Sequence, residues 1–171
     1  VVTTRPGQSG RFYRLPHRGE VELARRAADE LARREAAHAG PLSLVPDERI
    51  SLNEIRRISV PLYGIGTWGA LFTPRQLLAL TTLARLVREV GSRVDSSHRD
   101  AVQTCLALAV DRQAQATSSL CRWNVTCEAN IGTFGRQAIP MVWDFSEVSP
   151  LSDSSGGFRG AIEWIADVCE A

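Results

Sequence analysis

The chain has 171 residues, 20 of them basic and 19 acidic, for a formal net charge of +1. That length suffices to bury roughly 70% of the unfolded surface and is most simply one domain with an attached arm. The charge balance excludes a global field drawing the molecule onto nucleic acid or anionic lipid, and no run approaches the ~20 apolar residues of a membrane span.

Residues 1 to 17 read as an extended arm, because Thr3, Thr4, Pro6, Gly7, Ser9 and Gly10 are turn and coil formers. Phe12, Tyr13 and Leu15 are placed to pin it to the remainder, which is read as a single helical domain over 18–171. Glu20 to His38 predicts a helix with Val21, Ala24, Ala28, Leu31 and Ala32 on one stripe and oppositely charged residues on the other side. Gly40-Pro41 closes it. Leu42 to Glu54 reads as a linker, and Ile58 to Tyr63 as a short edge strand, since Pro61 bars a central one.

Thr73-Pro74-Arg75-Gln76 writes a helix start: Thr73 as N-cap, Pro74 at the first helical position, Gln76 closing a capping box, with Phe72 and Leu77 as a staple. The helix continues through Leu78, Leu80, Leu83, Val87 and Val90 to Gly91, apolar on more than one side and therefore central. A second long helix, capped by Ser97, should bury Ala101, Val102, Cys105, Leu106, Ala109 and Val110 and pack antiparallel to the first, the joint being short. Its end is placed between Ser118 and Cys121. Residues 122 to 150 turn irregular, with Ile139 to Trp143 a candidate strand. Phe158 to Val168 predicts a last helix with Ile162, Ile165 and Val168 inward. The expected class is mainly α with a small β element (α+β), built around two long antiparallel helices plus N- and C-terminal ones.

No reactive constellation stands out. His17, His38 and His98 lie in the arm and at helix ends, none beside a serine or cysteine in an apolar pattern. Cys105 and Cys169 read as small core residues; Cys121 and Cys127 are too widely spaced for a zinc knuckle. Asp144 and Glu147 stand three apart, a spacing that suits flanking a ligand but more simply capping or salt bridging. Catalytic, cofactor-binding and metal-binding residues are therefore assigned to none, and no cofactor is expected in this chain. The chain opens at Val1 without a signal peptide, which reads as an excised piece and a cytoplasmic context.

What remains is a set of contact side chains: Arg75, Gln76, Arg122, Trp123, Arg136, Gln137 and Trp143, with Arg112 and Asn124 beside them. Arginine and glutamine read base edges through paired hydrogen bonds, and tryptophan stacks on an unpaired base. The same side chains also build structural networks, with Gln76 held in its capping box. All basic residues are arginine and none lysine, which coding bias or a demand for planar phosphate-binding forks would both produce.

Several blocks occur in a familiar order: Phe12-Tyr13-Arg14-Leu15-Pro16, Val45-Pro46-Asp47-Glu48, Tyr63-Gly64-Ile65 through Thr67-Trp68-Gly69, Leu71 to Leu80, Ser118-Ser119-Leu120-Cys121-Arg122-Trp123, and Thr133-Phe134-Gly135-Arg136-Gln137-Ala138 through Pro140 to Phe145. In them the chain resembles an internal region of the large zinc-ribbon-containing adenine-specific DNA methylases, between the ribbon and the catalytic Asp/Asn-Pro-Pro-Tyr motif. Those enzymes use S-adenosylmethionine. Their cofactor turn, catalytic tetrapeptide and paired ribbon cysteines are missing here, so no family catalytic residue carries over. The resemblance implies a non-catalytic inserted helical module that contacts DNA or the rest of a methylase. A stand-alone structural or protein-interaction domain is the alternative.

Overall fold

In a computed structural model, residues 1–3 and 5–170 are described. Thr4 of the arm and Ala171 at the domain's end lie outside the described residues. The fold is mainly helical α+β. Four helices carry it: α1 (Arg18–Ala37), α2 (Pro74–Gly91), α3 (Arg99–Ala116) and α4 (Phe158–Glu170). Two small antiparallel sheets accompany them, β1 (Val2–Thr3) with β2 (Phe12–Tyr13), and β3 (Arg122–Asn124) with β4 (Ala129–Ile131). The helices pack in chain order: α1 on α2, α2 on α3, α3 on α4.

Local chemistry explains the helix ends. At α2 the Gln76 Oε1 accepts from the Thr73 N–H at 2.7 Å. The return contact onto Thr73 Oγ1 falls short of hydrogen-bond geometry and leaves that oxygen buried without a partner. At α1 the cap is His17, whose N–H donates to Glu20 Oε2 at 2.7 Å. Two expected boundaries move. α3 starts after His98, with Ser97 Oγ meeting His98 Nδ1 at 3.0 Å instead of capping, and it ends at Ala116 because Thr117 leaves helical backbone.

α2 and α3 form a hairpin. Arg99 Nε donates to Gly91 O at 2.9 Å at one end, and Ser119 N donates to Leu71 O at 2.8 Å at the other. Gly91 permits the close approach, since a Cβ there would stand 2.0 Å from Gln103 Nε2. α1 joins α2 through Ala24, Ala27, Ala28 and Leu31, which turn inward, while Val21 and Ala32 of the expected stripe are exposed. Arg34 Nη1 crosses to Thr82 Oγ1 at 2.7 Å. On α3, Ala101 faces outward and the other expected inward residues are buried or half-buried. On α4, Ala161 and Ile165 face inward, whereas Ile162 and Val168 are exposed. Cys169 is exposed rather than in the core.

The segments between helices make a second core at the end of the hairpin where α2 begins and α3 stops. Ile50, Val60, Leu71, Leu120 and Ile139 are its buried centre, with Ile58, Ile65, Trp68, Phe72, Met141 and Val142 packed round it. Gly69 belongs to this layer: a Cβ there would lie 2.5 Å from the Pro46 carbonyl oxygen. Neither expected strand forms. Ile58 and Ile139 make one isolated parallel bridge. After Ile58 the chain winds into a 3-10 turn, Val60–Tyr63, stopped by Gly64 at a φ of 91°. After Ile139 comes Pro140, which has no N–H to extend a ladder. Leu42 to Glu54 is likewise more than a linker, since Ile50 is core and Arg49 bridges to Thr67.

Candidate nucleic-acid interface

The structure divides the contact residues into three groups. The first is structural in its bonding. Arg75 Nε donates to both Glu147 oxygens, at 2.8 and 3.0 Å, with Nη2 at 2.7 Å from Oε2. Gln76 is 1% exposed. Its Oε1 accepts from Thr73 and its Nε2 donates to Glu147 Oε2 at 2.8 Å, so both ends of the amide are engaged within the fold. Glu147 thus acts as a salt-bridge partner and Asp144 as a local cap, its Oδ1 accepting from the Phe145 N–H at 2.9 Å.

The second group is on β3. Arg122 is exposed, and Trp123 is half-buried under the arm. Trp123 Nε1 donates to Tyr13 Oη at 3.1 Å, and the two rings meet edge to face with centroids 6.3 Å apart. Of the expected pins Tyr13 therefore makes the contact, while Leu15 is exposed. Asn124 shapes the β3–β4 turn by accepting from Thr126 N at 2.9 Å. Arg112 lies elsewhere, its guanidinium 4.6 Å from the Trp164 ring centroid on α4.

The third group is a surface ridge, and the isolated bridge builds it. Ile139 N donates to Arg57 O at 2.7 Å, and Ser59 N donates to Ile139 O at 3.3 Å. This single bridge brings the turn carrying Arg56-Arg57 close to the bend that carries Arg136-Gln137. Arg56, Arg57, Arg136 and Gln137 are all exposed. Among the described residues, none of the ion pairs involves these three arginines. The nearest acid in the chain is Glu54, whose backbone carbonyl accepts from Arg57 N at 2.8 Å. Farther along both segments Tyr63 meets Trp143 edge to face at 6.4 Å, and Trp143 is 92% exposed.

Arg56, Arg57 and Tyr63 were not singled out from sequence. An Arg-Arg pair directly before an apolar segment is a visible signal, but its proximity to Arg136 depends on a long-range bridge. Within the described residues no group of three or more histidine, cysteine or carboxylate side chains is arranged to hold a metal ion, and no helix is long and apolar enough to cross a membrane. Set against family models, curated proteins and solved structures, the chain matches none.

Proposed function

We propose that the domain is a non-catalytic, nucleic-acid-contacting module of DNA-methylase type, acting within a larger protein. The observation that carries this reading is the ridge at the Ile58–Ile139 bridge, with three exposed arginines free of ion pairs and an exposed aromatic pair at its far end. Guanidiniums unmatched by carboxylates suit phosphates, and an exposed indole offers a base a stacking face. The sequence blocks resembling the methylase family support the same reading, since Tyr63, Arg136, Gln137 and Trp143 lie inside them. DNA is the proposed ligand and a cytoplasmic setting the proposed context.

The test is fluorescence anisotropy with labelled single-stranded and duplex DNA at about 50 and about 200 mM salt. Phosphate contacts give log affinity a slope near −0.9 per neutralised phosphate on duplex and near −0.7 on a single strand. The combined Arg56→Gln, Arg57→Gln and Arg136→Gln variant should flatten that slope by about 2 while melting like the parent, because these side chains are exposed. Absence of binding at low salt would sink the proposal.

A second reading, a protein-interaction domain, is favoured by one observation. Leu62 and Tyr63 stand 69% and 53% exposed near Trp143, an apolar grouping suited to a protein partner. Under it, DNA binding is absent and Trp143→Ala weakens association with the catalytic portion of a methylase.

A further inference from the structure

Two thiols meet at the outer edge of the helical row. Cys105 on α3 and Cys169 in the last turn of α4 place their sulfurs 3.9 Å apart, and both are free cysteines. Beneath them lies an apolar cleft of about 120 Å³, lined by Leu106, Ala109, Ile162 and Ile165 along with the two cysteines themselves. The other two cysteines are placed differently, Cys121 buried after α3 with its sulfur against the Gln115 carbonyl and Cys127 exposed on the β3–β4 turn.

We propose that Cys105 and Cys169 form a redox-active dithiol whose oxidation by a small-molecule disulfide staples α4 to α3. A disulfide needs its sulfurs at about 2.05 Å with the Cβ atoms about 3.8 Å apart. Sulfurs already in contact reach that geometry by side-chain rotation and a small helix shift. The exposed Cys169 meets the external disulfide first. The Cys105 thiol beside it pushes the Cys169 thiol up, so only its minor thiolate form attacks one sulfur, forming a mixed disulfide and expelling one small thiolate that takes up the released proton. The Cys105 thiolate then attacks the Cys169 sulfur, closing the protein disulfide and expelling the second. Two protein thiols are oxidised and one external disulfide is reduced to two thiols, so electrons and protons balance.

The helix being stapled packs on a single neighbour. α4 leans on α3 mainly through Ala161, Ile165 and the Arg112–Trp164 contact, and most of its surface faces outward. Its final turn, with Val168 60% exposed, has little apolar contact to hold it, so the covalent link supplies an anchor where packing is thinnest. Since the thiols stand far from the arginine ridge in the chain, the proposal does not depend on nucleic-acid binding.

The test is incubation of the full chain with oxidised glutathione, followed by peptide mapping under non-reducing conditions. The expected product is a Cys105–Cys169 disulfide, reversed by dithiothreitol, with exchange of the Ile165–Cys169 backbone amides slowed at least about tenfold on oxidation. A variant carrying Cys121→Ser and Cys127→Ser should behave identically, provided its far-UV spectrum matches the parent. A Cys169 that retains glutathione without closing would overturn the proposal. So would a bridge that joins other cysteines, or oxidation that leaves α4 exchange unchanged.

Discussion

Gln76 and Glu147 tie the first turn of α2 to the irregular layer: Gln76 Nε2 donates to Glu147 Oε2 at 2.8 Å from a buried position. Arg75 grips the same carboxylate from the exposed side. Removing the carboxylate leaves a buried amide donor unpaired, which costs about 1–3 kcal/mol. Glu147→Ala is therefore expected to lower stability by that amount in a urea melt, whereas Arg75→Ala should cost about 1 kcal/mol or less, as exposed ion pairs do. Equal losses for the two variants would contradict this division.

Gly157 and Gly160 make a matched pair of substitutions. A Cβ on Gly157 would sit 2.0 Å from the Ser152 carbonyl oxygen, an atom of the backbone that has no rotamer to move away. Gly157→Ala should destabilise by about 1–3 kcal/mol through overpacking. A Cβ on Gly160, inside α4, meets nothing within 4 Å. Gly160→Ala should stabilise by about 0.5–1 kcal/mol, the helix-propensity difference. Thermal melts of the two should shift in opposite directions.

Acid should loosen the junction of arm and α1. The Arg14 guanidinium, followed by the His17 N–H, holds the Glu20 carboxyl down at about 2, against its ordinary 4.5. A carboxyl depressed on folding contributes stability that is complete above about 4.5 and is lost as pH falls through about 2. The stability gap between the parent and Glu20→Gln should close over that window. Because the pair is still about a third exposed, raising salt to about 1 M should narrow the gap at neutral pH as well. A gap that stays constant from neutral pH to pH 2 would show that Glu20 acts otherwise.

Trp143 separates binding from folding. At 92% exposure its side chain adds little to the core, so Trp143→Ala should leave the melting temperature within about a degree or two. Loss of one stacking face costs about 1–3 kcal/mol per base, so single-stranded DNA affinity should drop roughly five- to hundred-fold. An unchanged affinity would remove Trp143 from the interface.

The legible parts of the fold were those governed by neighbours in sequence. The Thr73-Pro74-Gln76 start of α2 follows from capping alone, and the helical hairpin follows from a short joint; the end of α2 falls at Gly91 as expected, although Gly91 stays helical and Ser92 is the cap. The irregular layer was not legible, because Ile58 finds Ile139 and Leu71 finds Ser119 only after the helices have brought distant segments together. The same limit governs the contact residues. The capping role of Gln76 is legible in the sequence, but its second partner, Glu147, is not. The grouping of Arg56 and Arg57 with Arg136 is not legible in the sequence because it depends on the same bridge.

Each helix rests on its predecessor in the chain, so the helical row can accrete in the order of synthesis, with α2 docking on α1 before α3 exists. The layer that carries the arginines cannot do this: Ile58 must wait for Ile139 to emerge. Local contacts form quickly and distant ones slowly. Maturation should therefore run in two stages, a scaffold assembled early and a working face that closes only once the segment carrying Ile139 has been made.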